Sequence, residues 1–127
     1  MKKKDLPEGR RCIKSRWVFE IKRNGIFRAR LVACGYSQVP GVDFTESYAP
    51  VINDVTWRIL IVVKLLWGLS AKIVDVETAF LHGDLEEEIY MEAPEGCGLN
   101  KKEDCVLLEK SFYGLVQSAR MYFLKFM

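Results

Sequence analysis

Residues 71–85 read AKIVDVETAFLHGDL, and this stretch decides how the rest of the chain is read. A short apolar run of Ile73, Val74 and Val76 carries one acid, Asp75, and its β-branched character predicts a strand. The chain then turns at Thr78, Ala79 and Phe80 and breaks at Gly83. A lone carboxylate in an apolar run is costly to bury unless it meets a cation, a hydrogen-bond donor or water. The residues leave two explanations open: Asp75 caps the following turn, or it meets a cation.

Upstream of this stretch, Asn53 or Asp54 is placed to cap a helix. From Val55 the apolar residues are dense, through Trp57, Ile59, Leu60, Ile61, Val62, Val63, Leu65 and Leu66, with Arg58 and Lys64 as exceptions. The length favours a helix ending near Gly68 over a strand. A helix apolar nearly all round is expected to be buried on several sides, by other parts of a larger domain. Residues 35–51 read as loop, broken by Pro40-Gly41 and Pro50.

Further upstream, residues 16–23 alternate with period two, Trp17, Phe19 and Ile21 against Val18, Glu20 and Lys22, which predicts a strand. Asn24-Gly25 follows, the pair that best supplies two positive-φ residues for a type I′ turn. Residues 26–34 return as the second strand. Arg28 and Arg30, two apart, share one face, while Phe27, Ala29 and Leu31 take the other. A basic row of this kind holds phosphates or is simply a solvated strand face. Residues 1–11 form an extended lead-in.

Downstream, the acidic run of Asp84, Glu86, Glu87 and Glu88 reads as a solvated turn rather than a metal cluster. Residues 92–104 are turn-rich, residues 105–109 read as a short strand, and a helix begins near Val116.

The totals bound the function. The 127 residues, 50% hydrophobic and 28% charged, suit one globular domain or a piece of one. Residues 1–34 hold eleven Lys/Arg against three Asp/Glu, and the remainder holds eight against fourteen, so the overall +2 hides a basic front and an acidic back. That asymmetry points to a polyanion partner and metal ions, or to halves that neutralise each other within the fold. Four cysteines without a Cys-x-x-Cys pair, and His82 as the one histidine, argue against zinc. There is no signal-peptide pattern and no apolar run long enough to span a bilayer, so the expectation is an intracellular soluble protein with reduced thiols.

Four blocks, taken in order, resemble one family, the copia-type (Ty1/copia) reverse transcriptases of long-terminal-repeat retrotransposon Pol polyproteins. LPEGRRCIKSRWVFEIKRNG resembles the family's entry into the fingers. FRARLVACGYSQVPGVDFTESYAPV is similar to its K-A-R-L-V-A-K-G block with the following Gln, Gly-x-Asp-Phe/Tyr and Pro-Val. The stretch around Asp75 resembles L-D-V-K-T-A-F-L-x-G. EKSFYGLVQSARMYFLKF is similar to K-S-L-Y-G-L-K-Q-A-P-R-x-W-x-x-x-F.

The resemblance implies an α+β fold, a partial right-hand polymerase with a basic β-hairpin and a partial antiparallel sheet packed with helices. Residues of about 6–50 would be the fingers hairpin and loop, and about 51–127 an incomplete palm that stops before the family's Tyr-x-Asp-Asp hairpin. It implies Asp75 as the first catalytic aspartate and Mg²⁺ ligand, assisted by the Val76 backbone carbonyl, in a two-metal addition of deoxynucleotides to a primer. Phe80 matches the aromatic gate beneath the sugar, and Arg28 and Arg30 the basic pair that grips the triphosphate. Gly114 and Gln117 fall in the block that positions the templating base and incoming nucleotide. The implied partners are an RNA or DNA primer–template, deoxynucleoside triphosphates and the rest of the polyprotein, with no membrane. The implied compartment is a cytoplasmic virus-like particle or the nucleus.

Departures qualify this picture. Cys34 and Val116 stand where the family commonly has Lys, and Ser118-Ala119 alters its Ala-Pro. One aspartate cannot hold two repelling divalent ions. These 127 residues alone are therefore expected to be inactive as an RNA-directed DNA polymerase. The rival is a non-catalytic nucleic-acid-binding module derived from the retrotransposon.

Overall fold

The computed structural model describes residues 1–127. Its centre is a three-stranded sheet in the order β1 (Cys12–Ile13), β4 (Asp84–Glu92), β5 (Cys105–Lys110). β1 lies parallel to β4, with Cys12 opposite Tyr90, and β5 antiparallel, with Ile89 opposite Leu108. The sheet is therefore mixed, where an antiparallel one was expected. Ile13, Ala33, Ile89, Met91 and Leu115 form the buried core, with Leu31, Leu85, Val106, Leu108 and Phe112 packed against it.

Two expectations fail around this sheet. The acidic run is not a solvated turn but part of β4, because Leu85 and Ile89 on either side are drawn into the core while Glu86 and Glu88 stay exposed. The irregular pairing between Asp84 and Ile89 absorbs the conflict. The lead-in is not simply extended either: Lys2 bridges to Asp104 and Lys3–Asp5 forms a 3-10 turn. Lys2 meets Asp104 at 2.9 Å and Lys3 meets Glu92 at 3.0 Å, so part of the basic front is neutralised by the acidic back.

β2 (Ser15–Ile21) and β3 (Phe27–Ala33) form a separate antiparallel hairpin. Its register sets Glu20 opposite Arg28 and Val18 opposite Arg30, so Arg16, Arg28 and Arg30 share a face. Trp17, Phe19, Ile21 and Phe27 take the opposite face and are exposed. The connection is not the expected type I′ turn. Gly25 alone has positive φ, at 79°. Its amide donates to Lys22 O at 2.8 Å while Lys22 N donates to Ile26 O at 2.9 Å, the pattern of a type I turn closed by a glycine bulge.

α1 (Asp54–Leu66) forms where expected. Asn53 is its cap, with Oδ1 accepting from Val55 N at 2.8 Å. At the other end Leu69 N donates to Lys64 O at 2.9 Å, closing the last turn. The expectation of burial is not met within these residues, for no residue of α1 is buried. No other helix or strand packs extensively against it. A self-contained protein of 14.7 kDa exposes about 6,900 Å². This chain exposes 9555 Å². No helix is long and apolar enough to cross a membrane.

α2 (Ser118–Phe126) packs on β4 and on the 3-10 turn Ala79–His82. Asp84 ties it down, accepting from Lys125 at 2.6 Å and from Lys110. Hydrogen bonds from Lys110 and Lys125 hold the Asp84 carboxyl down at about 2, although the group is exposed. A depressed folded-state value means this contribution is complete above the unfolded carboxylate value near 4 and is lost as pH falls through the folded value of about 2. The stability difference between the native chain and Asp84→Asn, followed by urea denaturation, should therefore shrink steadily as pH falls from about 5 to about 2. A difference of constant size over that range would exclude the ion pairs as its cause.

Candidate functional site

The root of the hairpin is where the four sequence blocks converge. Ala33 N, at the end of β3, donates to Tyr113 O at 2.7 Å. Gly114 follows with φ +91°, and a Cβ placed on it would lie 2.0 Å from Ala33 O. The turn at Gly114 is thus pressed onto the strand backbone. Between this turn and the basic face of the hairpin lies a cleft of about 440 Å³, lined by Arg16, Val18, Val32, Tyr36, Gly114 and Val116 among others. A space of that size suits a small charged ligand.

The electrostatics of the cleft are positive on one wall. Arg28 and Arg30 continue the face of Arg16 towards the hairpin tip. Arg30 meets Glu20 only loosely, at 3.9 Å, with both side chains exposed, and Arg28 makes no ion pair. Contacts this exposed bind weakly, so both guanidinium groups stay available to an anion. Tyr36 is exposed at the cleft, and a hydrogen bond with the Cys34 thiol raises its phenol above the ordinary value. It remains a neutral hydrogen-bonding group at physiological pH.

Phe80 joins the same assembly. Its ring meets Tyr113 edge-on at a centroid distance of 5.5 Å, which ties the Ala79–His82 turn to the Gly114 turn. Thr78, just before that turn, has φ 52°, a left-handed conformation unusual for a β-branched residue. This kink between Asp75 and Phe80 carries no sequence signal, since Thr is among the residues least expected there.

Asp75 is placed differently from its expectation. Residues 71–76 form no strand, and Ile73 and Val74 are exposed at 99% and 83%. β-branched residues form a strand only when a partner supplies the ladder, and no segment here pairs with them. Asp75 is exposed, and its carboxylate has neither hydrogen-bond donor nor ion-pair partner. It does not cap the turn: Leu81 N donates to Thr78 O, at 2.8 Å. The Val76 carbonyl likewise accepts no backbone hydrogen bond. No three His, Cys, Asp or Glu side chains gather closely enough to hold a metal ion, so this donor set does not fit a two-metal centre.

Gln117 lies inside the protein. It is fully buried, its Oε1 accepting from Gln38 at 3.0 Å and its Nε2 donating to Asp43 O at 2.9 Å. Gln38 and Asp43, the Gln and the Gly-x-Asp aspartate of the second sequence block, are buried with it, although their motif gave neither a role. A Gln or Asp in a loop gives no sign of burial until its distant partner is known. Cys12 stands apart from this chemistry: burial, then the neighbouring Cys105 thiol, pushes it up to about 12, far from a reactive thiolate.

Residues 2–127 match the family described as Reverse transcriptase (RNA-dependent DNA polymerase). The chain is 44% identical over 128 residues to the Retrovirus-related Pol polyprotein from transposon TNT 1-94 of Nicotiana tabacum, covering 96% of this chain and 10% of that protein. It is 38% identical to the corresponding polyprotein from transposon RE2 of Arabidopsis thaliana, over 87% of this chain and 8% of the relative. The Truncated transposon Ty1-A Gag-Pol polyprotein of Saccharomyces cerevisiae is 31% identical, over 90% of this chain and 9% of its own length. The chain thus spans a tenth or less of these curated relatives. No solved structure matches it.

Proposed function

The chain belongs to the reverse transcriptase family of copia-type Pol polyproteins, as a partial domain, and from that premise we propose that its cleft is the nucleotide-facing part of an RNA-directed DNA polymerase. The observation that carries this reading is the junction of the basic hairpin face with the Gly114 turn around one cleft. Residues of about 6–50 would act as fingers and 51–127 as the first part of the palm. Arg28 and Arg30 would take the triphosphate, whose charge a guanidinium meets bidentately. Phe80, braced by Tyr113, would lie under the sugar.

Gln117, being buried, would act by holding the cleft wall rather than by touching the ligand. Asp75, with the Val76 carbonyl, would contribute one carboxylate to a Mg²⁺ set whose other ligands are not among these residues. The primer–template, the deoxynucleotides and the remainder of the polyprotein are the proposed partners, and a cytoplasmic particle or the nucleus the proposed compartment. The incomplete donor set favours a second reading for these 127 residues by themselves: nucleic-acid binding without catalysis.

Binding tests the second reading, in which the basic face holds nucleic-acid phosphates. The doubly substituted chain, Arg28→Ala with Arg30→Ala, should bind a labelled primer–template more weakly in fluorescence anisotropy. Its dependence of log affinity on log salt should flatten by about 2, one step for each lost phosphate contact. Unchanged affinity and slope would show that nucleic acid does not use this face.

A further inference from the structure

The three segments around the buried glutamines form one directed hydrogen-bond chain. Val116 N donates to Gln38 Oε1 at 2.8 Å, Gln38 Nε2 donates to Gln117 Oε1 at 3.0 Å, and Gln117 Nε2 donates to Asp43 O at 2.9 Å. Gln38, Gln117 and Asp43 are 7%, 0% and 2% exposed, so water does not compete for these bonds. The Asp43 end is fixed in turn, since Asp43 Oδ2 accepts from Val39 N at 2.7 Å and Asp43 N donates to Val39 O at 2.9 Å. All three bonds run the same way, so neither amide can turn over without placing oxygen against oxygen.

We propose that this amide chain sets the width of the cleft, making Gln38 and Gln117 positioning residues for the nucleotide. Gly35, Gly114 and Val116 pack against one another as one wall, and Arg16 and Val18 of β2 form the other. The segment bearing Gly35 and Tyr36 runs on into Gln38, and Val116 is itself the first donor of the chain. Loosening either glutamine therefore lets the Val116 wall move against the hairpin root, where the Arg face begins. A buried polar chain specifies one arrangement where an apolar filling would tolerate several. That is the property a cleft needs if it must close on a ligand of fixed shape.

The inference rests on the proposed nucleotide reading, and the test separates the two. The 127-residue chain is titrated with dTTP and Mg²⁺ by calorimetry, alongside Gln38→Met, Gln117→Glu and Asp84→Asn. Gln38→Met keeps the side-chain length and removes both bonds of one amide. Gln117→Glu keeps the acceptor for Gln38 but sets a carboxylate against the Asp43 carbonyl. Asp84→Asn loosens α2 at Lys125, outside the cleft lining, and controls for lost stability.

Circular dichroism first establishes which variants are folded. Both glutamine variants should then bind dTTP about tenfold more weakly, the equivalent of one lost buried hydrogen bond, with Asp84→Asn unchanged. If Gln117→Glu fails to fold, Gln38→Met decides. Folded glutamine variants that bind dTTP like the native chain would overturn the positioning role and leave the nucleotide reading intact. So would a weakening that Asp84→Asn shares equally. A native chain that does not bind dTTP would overturn the nucleotide reading and this inference with it.

Discussion

Gly114→Ala is expected to destabilise the chain by about 3 kcal/mol. The left-handed backbone at φ +91° costs an alanine about 1–2 kcal/mol before any contact is counted. The added Cβ would then lie 2.0 Å from Ala33 O, far inside contact distance, and the obstacle is backbone that cannot rotate away. The turn must lift off β3, breaking the bond from Ala33 N to Tyr113 O, which contributes about 1 kcal/mol. Leu115, one residue on, is part of the core and would be dragged with it. Urea denaturation followed by far-ultraviolet circular dichroism measures the loss. A change below about 1 kcal/mol would mean that the turn is free to move away from the strand. The cleft, whose two walls meet here, would then not be a fixed site.

The site was legible in the sequence to different depths at different residues. The hairpin faces of Trp17–Ile21 side chains and of Arg28 and Arg30 followed from alternation, because a strand's two-residue period is local. The turn that joins them was not legible in type, since Asn24 and Gly25 permit several turns and only the flanking register selects one. The helix α1 was visible from its apolar density and its Asn53 cap, and its exposure was not, because burial depends on what a segment meets. The same reason explains residues 73–76: a β-branched run is half of a strand pair, and its other half is not among these residues. β1 escaped notice because two residues show no period, and its pairing with β4 joins positions far apart in the chain. Gln117 was recognised through its block, but its burial depends on Gln38 and Asp43, more than seventy residues earlier.

The exposed apolar surfaces give this picture a physical direction. α1 and the Phe19–Phe27 side of the hairpin leave large side chains in water, although a solvated helix needs only one apolar stripe. The excess over a self-contained monomer is roughly 2,600 Å², comparable to an extensive permanent interface. Asp75 is also unpartnered and exposed, next to a run of valine and isoleucine with no strand beside it. On the proposed polymerase reading one explanation covers all three observations: further residues of the domain would cover these surfaces, and Asp75 would meet its proposed metal only there.

That explanation makes Asp75 the residue whose removal has the greatest effect. A carboxylate that shares a divalent ion in a two-metal centre contributes several kcal/mol to the transition state, and asparagine keeps its shape without its charge. The decisive measurement is primer extension with Mg²⁺ by the 127 residues continued into the segment that follows the matching region of the tobacco relative, with and without Asp75→Asn. Asp75→Asn should lower the extension rate about a thousandfold, with the salt-dependent affinity for primer–template unchanged. Extension at an undiminished rate after Asp75→Asn would contradict the catalytic assignment.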